Sequence, residues 1–190
     1  DRALDVLQAH GAAVDRETRP GWKRSRQALW STLANLTASL SVSAGDTAQA
    51  VRLWTRAAEI DESLGRIKEA ADIHLDLADQ AAAADDTEGT ARHARKAAEL
   101  LTELDQPALL GNALLLLSGT VEGAERDRLQ DEADAALVRA PKTLAVLGLR
   151  LKLGQRLAKQ DKPEAALRVL SEVIAGLDPQ PPSPLRDMQL

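Results

Sequence analysis

Three histidines, two acidic stretches and one basic cluster are the places where residue type and spacing in this 190-residue chain could do chemistry. His10, His74 and His93 do not stand in His-Glu-x-x-His spacing, and none follows a Glu by three residues as in a di-iron helix. Asp72 and Asp76 flank His74 as an i, i+4 pair that could touch a cation with it. The alternative is a solvated helix face, since a zinc site needs three or four ligands. Asp85-Asp86-Thr87-Glu88 has the composition of the aspartate-rich metal motifs of helical prenyl-transfer enzymes without their spacing, and helix capping accounts for Asp85 and Glu88. There is no Cys, Phe or Tyr, so thiol catalysis, Cys-ligated zinc and iron-sulfur clusters are excluded. No Gly-rich phosphate loop, Gly-x-Ser-x-Gly elbow or Rossmann fingerprint occurs. These residues make no positive case for an enzyme and call for no cofactor and no metal.

The basic cluster is Arg16, Arg19, Lys23, Arg24 and Arg26 around Pro20-Gly21-Trp22. It could be a phosphate or nucleic-acid patch with Trp22 stacking on a base, or a solvated turn with Trp22 packed over a helix end. Charge distribution weighs against nucleic acid. Residues 1–64 carry 8 basic and 8 acidic side chains, 65–140 carry 8 and 16, and 141–190 carry 8 and 5. An acidic middle repels phosphates, whose affinity comes from Lys and Arg.

The elements that must position these residues are helices. Ala and Leu number 35 and 32, against 9 Val and 4 Ile, a balance that favours helix and excludes a β-sandwich or barrel. The longest apolar run, Ala113 to Leu117, is far short of a bilayer span, so no membrane is involved. A chain without Cys suits a cytoplasmic location, and the excess of Arg over Lys with abundant Ala suits a high-GC bacterial source. The chain opens on Asp1 with its only Met at Met188, and so reads as part of a longer protein.

Apolar residues at Ala3, Leu4, Leu7 and Val14 open one helical stripe, which should stop at a turn near Arg19-Pro20-Gly21. Leu29, Leu33, Leu36 and Leu40 form the next. Three helix starts then share a capping box: Asp46 with Gln49, Asp85 with Glu88, and Asp161 with Glu164 behind Pro163. Aligning them sets Ala50, Ala91, Leu129 and Ala166 in equivalent places, with spacings of 41, 38 and 37 residues. Ala57, Ala98, Ala136 and Val173 lie seven residues beyond each. Paired helices at such a period predict an all-α fold, an α-solenoid whose hairpins cover one another's apolar faces.

The turn Ala44-Gly45-Asp46, then Ala50, Trp54, Ala57 and Glu59-Ile60-Asp61, resembles the second helix of a tetratricopeptide repeat. Lys162-Pro163-Glu164, Ala166, Leu170 and Leu177-Asp178-Pro179 resemble it again. The first helices lack the family's Tyr throughout, Gly154 alone matches its Gly, and Arg95 and Ala133 stand where a bulky apolar residue is usual. The long period is similar to the divergent repeats of large bacterial signalling and transcription regulators. The resemblance implies a right-handed solenoid of antiparallel hairpins, about four repeats over 22–178 in units 22–64, 65–105, 106–140 and 141–178. Residues 1–21 would then hold a helix of a preceding, truncated repeat plus its turn, and the Pro-rich 179–190 a tail or linker.

The resemblance also implies a peptide groove lined by first helices: Asn35 and Ser39, then Asp76 and Gln80, Leu114 and Ser118, and Gln155 and Lys159. That order would draw the basic part of a peptide to the middle and its acidic part toward the carboxyl end. The expected function is a non-enzymatic protein- or peptide-binding scaffold, with self-association through uncovered end repeats. A sensing domain that controls an attached effector is the alternative, and an all-helical enzyme stands third.

Overall fold

The computed structural model describes residues 20–177, together with the single position Ala9. Residues 1–8, 10–19 and 178–190, and with them His10, Arg16, Arg19, the preceding-repeat helix and the Pro-rich tail, lie outside the described residues. Those described are all-helical: α1 (Pro20–Ser43), α2 (Thr47–Leu64), α3 (Ile67–Ala83), α4 (Thr87–Leu101), α5 (Pro107–Ser118), α6 (Gly123–Arg139), α7 (Leu144–Lys159) and α8 (Pro163–Leu177). None of them is long and apolar enough to cross a membrane. Each helix packs on its chain neighbours, most extensively within the pairs α1/α2, α3/α4, α5/α6 and α7/α8; in addition α3 meets α5, and α5 meets α7.

The first expectation to change concerns Pro20. It opens α1 where a stop and turn were expected, because a first-turn residue needs no amide and proline's fixed φ suits that position. The buried stripe of α1 is also displaced by one residue. Trp30, Ser31, Ala34 and Ala38 are buried, whereas Leu29, Leu33, Leu36 and Leu40 are 57, 41, 60 and 70% exposed. Alanine wins the interface because α1 and α2 approach closely, Ala34 and Ala38 facing a helix that buries Ala50, Trp54 and Ala57.

One turn geometry recurs four times. Gly45 and Gly65 take left-handed φ of 84° and 71°, and Asp85 and Asp161 take 55° without being glycine. After each, the next amide bonds back five residues: Asp46 N to Ser41 O at 2.8 Å, Arg66 N to Asp61 O at 2.9 Å, Asp86 N to Ala81 O at 2.9 Å and Lys162 N to Leu157 O at 3.1 Å. This is the Schellman closure, which satisfies carbonyls at a helix end. Asp46 caps α2 as expected, accepting from Gln49 N at 3.0 Å. The cap of α4 is Asp86, bonded to Gly89 N at 2.9 Å, and not Asp85. Asp161 likewise belongs to the turn and not to the cap.

Correcting the cap corrects the internal alignment. With offsets of 40 and 116 residues, Ala38, Ala78 and Gly154 become equivalent, as do Ala50, Thr90 and Ala166, and Ala57, Ala97 and Val173; all nine are buried. Ala91 and Ala98 are only half-buried and Arg95 is exposed, so the 41-residue spacing is one too long. Ala94, fully buried, holds the place of Trp54. At Gly154 an added Cβ would lie 2.7 Å from the Leu170 side chain, so α7 and α8 depend on its absence.

A buried ionic node ties the first hairpin to the second. Asp61 accepts from Ser31 Oγ at 2.7 Å and pairs with Arg66 at 3.2 Å, and Arg66 donates to Ala28 O at 3.0 Å. Burial raises the Asp61 pKa against the opposing pull of Ser31 and Arg66. At the other end Arg150 bridges Asp134 at 3.1 Å and Glu172 at 2.7 Å.

A left-handed non-glycine residue costs roughly 1–2 kcal/mol, partly offset by glycine's greater freedom when unfolded. Asp161→Gly should therefore raise stability by about 0.5–1 kcal/mol, whereas Gly45→Ala should lower it by about 1 kcal/mol, as read by urea denaturation.

Candidate functional site

The odd-numbered helices α3, α5 and α7 meet in turn, α3 packing on α5 and α5 on α7. The corrected offsets place Leu36, Asp76 and Lys152 at one equivalent position, and Leu40, Gln80 and Arg156 at the other. Leu36 and Leu40 are exposed, Asp76 and Gln80 half-buried and Lys152 exposed, while Arg156 is drawn inward onto Leu115 O and Ser118 Oγ. In repeat order these positions thus run from apolar through acidic to basic.

Asp76 is the most perturbed group among them. Burial, then the charges of Asp79 and Asp72, push its carboxyl up to about 6. Asp79 is also raised by burial, with the Lys152 charge pulling the other way, so α3 and α7 share one electrostatic neighbourhood across the short α5. Asp72 has a partner on its own helix, Lys68 at 2.8 Å.

Of the groove residues expected from the sequence, Asp76 and Gln80 come together on α3, and Ser39, Gln155 and Lys159 are exposed. Asn35 is engaged in the first hairpin, its Oδ1 accepting from Trp54 Nε1 at 2.8 Å. Leu114 and Ser118 are not groove residues, being 8% and 1% exposed, with Ser118 Oγ donating to Leu115 O at 2.8 Å. The apolar α5 is buried on most sides, so its inward and outward positions cannot be told apart by hydrophobicity. Trp30 and Trp54 are core residues; Trp22 is 62% exposed. In the basic cluster, Arg24 donates to Leu64 O at 2.8 Å and so serves the first hairpin.

Sequence spacing missed a polar relay between α2, α3 and α4. His74 turns away from Asp72 and Asp76: its Nε2 lies 3.0 Å from Glu62 Oε1 and its Nδ1 lies 3.1 Å from His93 Nδ1. The imidazoles stack, Arg92 Nη2 approaches His93 Nε2 at 3.3 Å, and Lys96 Nζ pairs with Glu62 Oε2 at 2.8 Å. Two facing Nδ1 atoms require one donor and one acceptor, so the two rings cannot both be protonated. Burial, then the charges of His74 and Arg92, pull His93 down to about 4 despite Asp86. Burial alone would raise Glu62, but the bonds from His74 and Lys96 outweigh it and hold its carboxyl below the ordinary range. A cavity of about 560 Å³ adjoins the relay. Among the described residues, no group of three or more His, Asp or Glu side chains is arranged to hold a metal ion.

No family model matches the chain, and no curated protein does. Among solved structures it is similar to the crystal structure of BtubC (BKLC) from P. vanneervenii. The TM-score is 0.66 at 16% identity, over 100% of this chain and 80% of that one. At that identity the likeness is one of fold, between this all-helical chain and that structure.

The two large shifts act on stability with opposite signs. The depressed pKa of His93 gives stability that is lost as pH falls from about 6.5 through 4. The raised pKa of Asp76 gives stability that is complete below about 3.8 and lost as pH rises through 6. Asp76→Asn should therefore stabilise the protein by about 1–3 kcal/mol near neutral pH and have little effect at about pH 4, measured by denaturation at both values.

Proposed function

We propose that this chain is a non-enzymatic protein-interaction module: a right-handed α-solenoid of four helix hairpins of the tetratricopeptide-repeat kind, receiving a peptide on the concave face of its odd-numbered helices. The contact pattern supports the solenoid, each hairpin meeting the next while α3, α5 and α7 touch in turn. Support for the repeat kind comes from buried small residues at two recurring positions, Ala38, Ala78 and Gly154 at one and Ala50, Thr90 and Ala166 at the other. A cytoplasmic location and a bacterial source, read from composition, belong to the same proposal.

The observation that carries the binding reading is Asp76. Near neutral pH its carboxylate is ionised against burial and against two neighbouring acids. A Lys or Arg side chain laid across α3 would supply the missing counter-charge, and so would bind better to the charged form than to the protonated one. Leu36 and Leu40 suit an apolar residue at one end of such a peptide, and Lys152 and Lys159 an acidic residue at the other.

A peptide array with apolar, basic and acidic blocks in every order tests the reading. Peptides in the order apolar, basic, acidic should bind best, and Asp76→Lys should weaken them at least about 10-fold, the usual scale for losing a close charge pair at an interface. Equal binding of all block orders, or affinity untouched by Asp76→Lys, would sink the proposal.

A further inference from the structure

Where the turns of three hairpins converge, a cleft of about 540 Å³ is lined by the same pair of residue types twice: Arg126 and Gln130 on α6, and Arg156 on α7 with Gln160 at its C-cap, each pair spaced i, i+4. Such spacing sets both side chains on one side of a helix. Thr87 at the start of α4 and Thr120 after α5 add hydroxyls, and the exposed Glu122 contributes a carboxylate at the edge.

The polar groups here are under-used by the fold. Gln130 is 2% exposed, yet neither its amide nitrogen nor its amide oxygen has a hydrogen-bond partner; the same holds for Gln160 Oε1 and Arg126 Nε. Arg156 donates to Leu115 O and Ser118 Oγ only, and among the described residues no carboxylate pairs with it or with Arg126. Buried amides normally find partners, and a half-buried guanidinium normally finds an anion. Burial lowers the Arg156 pKa, as it does for a cation without a counter-charge. By contrast Arg150, more deeply enclosed than either, has both Asp134 and Glu172 as counter-charges.

We propose that this cleft is a binding site for a small phosphorylated molecule bearing hydroxyl groups. Two guanidinium forks present the paired donors that fit a phosphoryl group, and the threonine hydroxyls extend the donor set. The Gln130 and Gln160 amides, turned into the cleft, and the Glu122 carboxylate supply acceptors for ligand hydroxyls. The volume suits a metabolite rather than a bare ion. The site lies at the turn end of α4 to α7 and meets the odd-helix face only at Arg156.

Calorimetric titration of the full chain with glucose 6-phosphate, glucose, inorganic phosphate and succinate tests this. The sugar phosphate should bind at least about 10-fold more tightly than succinate, glucose should not bind, and phosphate should compete. Arg126→Gln should weaken the sugar phosphate about 10-fold or more, with Arg128→Gln on the same helix as a control for net charge. Arg156→Gln should do the same, but it also removes the bond to Leu115 O. Arg126, which makes no such bond, therefore decides the matter. Absence of heat at millimolar sugar phosphate, or equal loss in the Arg126 and Arg128 variants, would overturn the proposal, as would binding shared equally with succinate.

Discussion

Close approach of paired helices through small side chains is the constraint on which the rest of this structure depends. With no Phe or Tyr, and Trp30 and Trp54 as the buried rings of the first hairpin, the other described helices have no such ring to fill the space between them and touch through small and aliphatic side chains. Ala34, Ala38, Ala50, Ala57, Ala70, Ala71, Ala78, Ala94, Ala97, Ala113 and Ala133 are all wholly buried, and Gly154 carries the same logic to the point where a methyl group would strike Leu170. Packing of this kind tolerates little added volume, because interiors are close to crystalline density. It also spreads the core along the chain: one cluster around Trp30 and Trp54, one around Leu75 and Leu101, and one that runs from Ala78 and Ala94 to Val169.

That thin core governs where polar groups end up. Helices that approach closely leave few side chains between them, so charged residues on their flanks sit half-buried beside one another. Some are resolved by ion pairs, as Asp61 is with Arg66 and Asp134 with Arg150. Others are not: Asp76 lies among acids, and the Gln130 amide is buried without a hydrogen-bond partner. The unresolved groups cluster in two places, the odd-helix face and the turn end of α6 and α7, and those are the places where a ligand's own charge would complete the local electrostatics.

Most of the helix content was legible from Ala and Leu abundance, and Asp46, Trp54 and Ala57 could be placed because a cap, a bulky residue and a small one recur at helical spacing. The adjacent Asp85 and Asp86 were not separable. Both can cap, and only the backbone shows that the first takes a left-handed turn otherwise given to glycine. That single residue displaced the alignment of the second hairpin and, with it, the pairing of Asn35 with Asp76. The stripe Leu29–Leu33–Leu36–Leu40 misled for a related reason: hydrophobicity picks the larger residue, whereas the α1/α2 contact needs the smaller. The His74–His93–Glu62 relay and the cleft under Arg156 draw on three or four helices each, so no local spacing could announce them.

The central claim is that the acidic step of the odd-helix face is a site for a cationic side chain. Titrating the Asp76 carboxyl by carbon-13 NMR, free and with a basic peptide bound, tests it most directly. The account predicts a midpoint near pH 6 in the free protein and a fall to the ordinary carboxylate range once the peptide is bound, in line with linkage between charge and binding. An ordinary midpoint in the free protein, or a raised one that does not move when the peptide binds, would contradict it.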